Sequence, residues 1–159
     1  MVVNMKKIVK VASPAAIAVL RQATALSPKR NKASDGLLPS LAHVKQNPNS
    51  DHNSGLAVDL TNDPHSGIDC RVIFDELKND PRVDYLIFNS RIWSARNGER
   101  DYSGRNRHEH HLHISIKADC AKDTSPWFAW MGKPSISNKV KAKFKKKAVK
   151  KDSPSPKGD

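Results

Sequence analysis

The segment His111-Leu112-His113-Ile114-Ser115-Ile116-Lys117 constrains the fold more than any other stretch of this chain. Side chains on a β-strand alternate between faces. Leu112, Ile114 and Ile116 therefore enter a core while His111 and His113 face the other way, into a cleft. Leu56–Thr61 divides in the same manner: Leu56, Val58 and Leu60 take one face, and Ala57, Asp59 and Thr61 take the other. Asp59 matters most here, because a carboxylate on a strand face is costly to bury without a partner. The plain alternative is that Asp59 faces water.

The rest of the chain supplies punctuation for an α+β fold. Ser13-Pro14 reads as a helix start, with Ser13 capping and Pro14 in the first turn. Ala16, Ile17, Leu20 and Ala23 follow at helical spacing. Lys6, Lys7, Ile8, Val9 and Val11 faintly resemble a signal peptide, but Lys10 and Pro14 interrupt the apolar run, which favours a folded helix. Ser27–Asn53, rich in Pro, Asn, Ser and Lys, is expected to be mostly irregular, and loops of that length often carry function. Asp63-Pro64 and Ser66-Gly67 mark turns. Asp69 caps a second predicted helix running to about Asn79, with Val72, Ile73 and Leu77 inward and Pro81 beyond its end. Val83–Asn89 reads as a buried strand with Ile92-Trp93 as a short partner, and polar Asn97–Arg107 as a loop. Without a regular βαβ beat, the expectation is a mostly antiparallel sheet with flanking helices.

Charge divides the 159 residues unevenly. From Lys133 to the end there are ten lysines and two aspartates, which accounts for +8 of the net +12. Residues 1–132 are thus expected to form one mildly basic domain, and 133–159 a Lys-rich disordered tail that cannot bury a core. Such a tail attracts anionic envelope polymers, and nucleic acid only non-specifically. No apolar run approaches the roughly 20 residues of a membrane span. Cys70 and Cys120 allow a buried free pair or one disulfide, too few for a disulfide scaffold. Trp127 and Trp130 read as core packing rather than as a sugar platform.

Four of the seven histidines, His108, His110, His111 and His113, fall within six residues. Alone, such a cluster can be an exposed His-rich stretch. With His52 and Asp59, seven residues apart in an earlier segment, it supplies two histidines and a carboxylate. That is a sufficient donor set for a catalytic zinc with one position left open.

These residues also carry a family resemblance. Ser50-Asp51-His52-x-x-Gly55-x-Ala57-x-Asp59 resembles the SxHxxGxAxD signature of zinc peptidases that cleave bacterial cell-wall peptides. That group includes D-Ala-D-Ala carboxypeptidases, LAS-type murein endopeptidases and phage L-alanyl-D-glutamate endolysins. His108-x-x-His111-x-His113 resembles the matching downstream HxxHxH element. Asp80-Pro81-Arg82-Val83-x-Tyr85-Leu86-Ile87-Phe88-Asn89 and Asp123-Thr124-Ser125-Pro126-Trp127-Phe128 are similar to a phage and bacterial subgroup, so the likeness spans roughly Ser13 to Trp130. It implies His52, Asp59 and His113 as zinc ligands, His111 as the general base, His108 as a supporting or substrate-contacting histidine, and Ser50 near the ligands or substrate. Other branches place an acidic base three residues before the last ligand, where this chain has His110. Glu109 is one position off, though strand parity would put it on the face of His111 and His113. Arg30 is a candidate for gripping a substrate carboxylate with its bidentate fork; the alternative is a surface arginine.

The function so implied is hydrolysis of amide bonds in peptidoglycan stem peptides. The expected enzyme is a monomeric, endolysin-like endopeptidase, made in a bacterial cytoplasm without an export signal and acting at the wall after release. The alternatives are a D-Ala-D-Ala carboxypeptidase on the same scaffold, a basic nucleic-acid-binding protein, and an inactive metal-bound wall-binding domain.

Overall fold

The computed structural model describes residues 7–131. The expected Lys-rich tail lies outside them. By its contacts the chain divides into Met1–Trp127 and Phe128–Asp159. Only a single turn, closed by Met131 N–H on the Phe128 carbonyl (3.0 Å), is described in the second unit, to which Trp130 belongs.

The first unit is α+β. Its elements are α1 (Pro14–Leu26), α2 (Leu41–Gln46), β1 (Ala57–Thr61), α3 (Cys70–Leu77), β2 (Val83–Phe88), β3 (Arg91–Ser94), β4 (Gly98–Asp101) and β5 (His111–Ile116), with short 3-10 turns at Pro64–Ser66 and Ala118–Cys120. The strands form one antiparallel sheet in the order β1-β5-β2-β3-β4. The last of the described strands, β5, thus lies between β1 and β2, so residues more than fifty positions apart, such as Asp59 and His113, become neighbours. Helix α1 packs on β1, and α3 packs on β2 and β5.

Ser13 caps α1 by accepting the Ala16 N–H, with Pro14 at the first position. Its buried residues are Ala15, Ala16, Ala18, Val19 and Ala23. Ile17 is exposed and Leu20 half-buried, a rotation of about one residue from the expected face. Asp69 caps α3 through the Arg71 and Val72 amides. Ile73 and Leu77 are inward as expected, joined by Cys70 and Phe74, whereas Val72 is exposed. The expected irregular stretch holds the short helix α2, capped by Ser40. The expected loop Asn97–Arg107 holds β4, all of whose residues are exposed. An edge strand with no buried side chain gives no apolar alternation to detect.

The sheet's apolar face is built in rows. Val58, Ile114 and Leu86 stand opposite one another across β1, β5 and β2, Leu60 opposes Leu112, and all five are fully buried. The register of β2 slips between Val83 and Tyr85, so these two face β5 residues of opposite parity, Ile116 and Ser115. Such a bulge re-aims side chains. Here it keeps Val83 with the apolar row and turns Tyr85 to the other face.

Two arginines fasten the periphery. Arg82 donates to both oxygens of Asp80 and to the carbonyls of Ser125 and Pro126, and its guanidinium lies 3.6 Å above the centre of the Trp127 ring. The Asp80-Pro81-Arg82 and Asp123–Trp127 motifs are therefore two halves of one clamp, and Trp127, donating to the Ala15 carbonyl, is core as expected. The cysteines are free: Cys70 is buried with its thiol on the Leu60 carbonyl, while Cys120 is only half-buried, so they form neither a disulfide nor a buried pair. Burial pushes the Cys70 thiol up to about 12.

Arg30 corrects the expectation of a substrate-gripping fork. Its side chain is 1% exposed, and its fork is occupied by Asp35 at 3.0 and 2.5 Å. Asp35 in turn accepts the Thr61 amide and hydroxyl at the end of β1. A guanidinium sequestered in this way orders the chain instead of meeting a ligand. Burial raises the Asp35 carboxyl, but the hydrogen bonds from Arg30 and Thr61 outweigh it and hold it below its ordinary 3.8. Arg30→Met is expected to cost about 3–5 kcal/mol by leaving that carboxylate unpaired, lowering the thermal midpoint by about 10 °C. A carboxyl with a lowered folded pKa stabilises above its unfolded value and loses that contribution as the pH falls. The deficit should therefore be full at neutral pH and shrink as the pH drops below 3.8. An unchanged midpoint at pH 7 would return Arg30 to the candidates for ligand contact.

Candidate metal centre

The face of the sheet opposite the apolar rows carries the site. Asp59 of β1 stands directly across from His113 of β5, which stands across from Ile87 of β2. In the next row Ala57, Ser115 and Tyr85 are opposed, and on the other side Thr61 faces His111. The sequence-predicted face of β5 is thus the observed one.

His52 reaches the same place from the loop before β1. Ser50 accepts the His52 amide, and Gly55 N–H returns to the His52 carbonyl. Gly55 has φ +72°, and a Cβ there would lie 2.9 Å from Val9 and 3.1 Å from the Val11 carbonyl. This is the physical reason the loop needs glycine at that position. Asp51 ties the loop to the sheet, accepting from the hydroxyl of Ser115 and paired with the Tyr85 phenol.

Three ligand atoms, one each from His52, Asp59 and His113, lie within 4.8 Å of one another. His52 Nε2 is 3.3 Å from Asp59 Oδ2, and His113 Nδ1 is 3.1 Å from Asp59 Oδ1. Bonds of about 2.0–2.1 Å to a tetrahedral zinc would set neighbouring donors about 3.3 Å apart, close to these separations. Hydrogen bonding supports the fit. His52 Nδ1 sits 2.9 Å from the Leu37 carbonyl. A carbonyl only accepts, so Nδ1 carries a proton and a neutral His52 turns the lone pair of Nε2 on the Asp59 oxygen. Two electron-pair donors so placed need a proton or a cation between them. His113 Nε2 is buried without a hydrogen-bond partner, so that ring interacts through Nδ1, on the Asp59 side.

Residues 36 and 37 complete the support. Gly36 exchanges both backbone hydrogen bonds with Asp59, and a Cβ on Gly36 would press on Asp59 Oδ2 at 3.1 Å. The next carbonyl, Leu37, orients His52. One strap, fastened by the Arg30–Asp35 pair, therefore sets two of the three donors. Burial raises the Asp59 carboxyl, yet the hydrogen bonds from His113 and His52 overcome this and hold it far below the usual carboxylate range. Burial lowers His52, but Asp59 more than compensates and its pKa is raised.

His111 lies at the margin, Nε2 3.7 Å from Asp59 Oδ1, beyond hydrogen-bond reach. Burial, opposed by Asp59 and reinforced by His113 and His52, lowers its pKa and keeps it neutral at pH 7. His108 sits at φ +55°, its Nδ1 2.7 Å from the Asn106 carbonyl and its ring 4.9 Å from that of His111. Burial, with His113 and His111 beside it, brings His108 down to about 4. Ser50 does not touch the donors directly; its hydroxyl meets His43 Nε2 at 3.1 Å and caps the His52 turn. His110 and Glu109 are exposed ahead of β5 and do not line the cleft, so the strand-parity expectation for Glu109 fails because the strand starts only at His111.

These groups lie in a cleft of about 970 Å³ that also takes in His43, Tyr85, Tyr102, Arg105 and Asn106. Sequence reading missed all five. Tyr85 reaches the cleft only through the β2 bulge, His43 lies in the stretch read as irregular, and the last three lie in a polar loop without periodicity.

The chain matches no protein-family model, and comparison with curated proteins and with solved structures gives no match.

The wild-type protein is expected to bind one zinc, and His52→Ala, Asp59→Ala and His113→Ala each to lose it, as read by metal analysis after dialysis and by calorimetry. Because the metal must displace the proton that Asp59 favours on His52, affinity should weaken as the pH falls through the raised His52 value. Each displaced proton is worth about tenfold per pH unit. Equal affinity at pH 5.5 and 7.5 would remove His52 from the donor set.

Proposed function

We propose that this protein is a zinc-dependent peptidase that hydrolyses amide bonds in bacterial peptidoglycan stem peptides, as an endolysin-like endopeptidase. The observation that carries this reading is the convergence of His52, Asp59 and His113 on the floor of an open cleft, with a third imidazole, His111, beside them and outside the donor set. The resemblance of SDHNSGLAVD and HEHHLH to wall peptidases supplies the substrate class, and a cleft of this size accommodates a short peptide.

His52, Asp59 and His113 would hold the zinc, which when bound lowers the pKa of a coordinated water to about 7 and polarises the scissile carbonyl. The chain's own groups do the rest. Two neutral imidazoles and one carboxylate would offset only one of a zinc ion's two positive charges, leaving a net charge suited to a developing oxyanion. His111, neutral and outside the donor set, is placed to take a proton from the attacking water and pass it to the leaving nitrogen. His108 donates from Nδ1 to Asn106, so its remaining nitrogen offers an acceptor for a peptide N–H at the cleft wall. Tyr85, stacked on His113 with ring centres 5.4 Å apart, holds that ligand's plane. Burial and Asp51 push its phenol upward, so it stays protonated.

Stoichiometric zinc together with loss of turbidity of purified cell walls is the direct test. His111→Ala should keep zinc and fold while slowing turnover by about 10²–10⁴, and His110→Ala should do little. Wall binding without cleavage by the zinc-loaded wild type would favour a wall-binding domain. Release of only a terminal D-alanine would favour the carboxypeptidase. Loss of zinc in His111→Ala would make that residue a ligand and overturn its role as base.

A further inference from the structure

The cleft carries a charge pattern that the metal centre does not use. Among the residues lining it, Asp59 is the only acid and Arg105 the only lysine or arginine. The Asp59 charge is engaged by His52 and His113. Arg105 makes no ion pair or side-chain hydrogen bond among the described residues, and it is exposed. This is the opposite of Arg30 and Arg82, whose forks are filled by Asp35 and Asp80.

Arg105 is also held in place by its loop. The Tyr102 amide donates to the Ser90 carbonyl, and the Ser90 and Asn89 amides donate to the Arg107 and His108 carbonyls. Both ends of the segment are thereby pinned to the tight β2–β3 turn, in which Asn89 and Ser90 have φ of 47° and 63°. Tyr102 folds over Gly104, where any Cβ would collide with its ring. Asn106 binds both the His108 amide and its Nδ1. Three residues of chain span at most about 10 Å, so Arg105 stands within that distance of His108, whose ring is 5.6 Å from that of His113.

We propose that Arg105 is a specificity-determining residue that anchors a substrate carboxylate one or two residues away from the bond cut, using its free guanidinium fork. The proposal rests on the peptidase reading and narrows it. A planar fork matches a carboxylate with two parallel hydrogen bonds, and among the described residues lining the cleft no other lysine or arginine is available to pair with one. The carboxylate can be the C-terminal one, which would mark a carboxypeptidase, or that of an acidic residue beside the cleaved bond, which would mark an endopeptidase.

The test uses the zinc-loaded full chain and a soluble stem peptide with an acidic residue next to the bond cut and a free C-terminus. Two further peptides have one or the other carboxylate converted to its carboxamide. Arg105→Gln should keep zinc and raise KM for the parent peptide about ten- to hundredfold, with a smaller change in kcat, and Arg105→Lys should recover part of the loss. One amide should weaken wild-type binding equally and be insensitive to Arg105→Gln; which one identifies the carboxylate. Calorimetric binding of the same peptides to His111→Ala, with and without Arg105→Gln, reads the anchor independently of cleavage. Wild-type protein that cuts nothing, while binding still depends jointly on Arg105 and one carboxylate, would sink the peptidase reading and support the anchor. Equal effects of Arg105→Gln on acid and amide peptides, no effect on either, or no binding of any peptide would overturn it.

Discussion

The Asp59 carboxylate, a side chain only 20% exposed, is the charge around which the polar face of the sheet is organised. A buried carboxylate persists only if it is ionised against partners that outweigh its lost hydration. Here those partners arrive from two directions: His113 across the β1–β5 pair and His52 from the preceding loop. The same geometry that satisfies the carboxylate brings three electron-pair donors together, so the condition for burying Asp59 is also the condition for building a metal centre.

Holding that arrangement requires support on the edge of β1, where no further strand pairs with it among the described residues. The Gly36–Asp59 bridge supplies the missing pairing, and the bare Cα of Gly36 leaves the carboxylate room. Arg30 and Asp35 fix the same segment to Thr61, and the Leu37 carbonyl sets the His52 tautomer. Outer partners of this kind are what orient metal-ligating histidines. Arg30, buried and paired with Asp35, thus contributes to the donor cluster by holding the strap.

The two faces of the sheet divide the labour. Rows of aliphatic side chains anchor β1, β5 and β2 in the core, which makes the opposite face rigid enough to hold imidazoles at fixed separations. The rest of the cleft lining includes His43 of α2 and residues of the Tyr102–His108 segment. That division leaves Asp59, Tyr85, His111 and His113 on strands and the other polar groups of the cleft outside the sheet, where side chains can be aimed without disturbing it.

Local alternation by itself determined that Ala57–Thr61 and His111–Ile116 are strands, that Leu112, Ile114 and Ile116 face the core, and that Asp59, His111 and His113 lie on the opposite face. The periodicity of two leaves no other choice once one face is apolar. The start signals at Ser13-Pro14 and Asp69 were equally legible, because capping is settled within three or four residues. The position of β5 between β1 and β2, the slip that turns Tyr85 toward His113, the burial of Arg30 against Asp35, the emergence of β4 and the placing of Arg105 at the cleft were decided only in three dimensions. Each depends on which distant backbone groups pair and which charge a side chain meets across the fold, and neither is encoded in the spacing of residues along the chain.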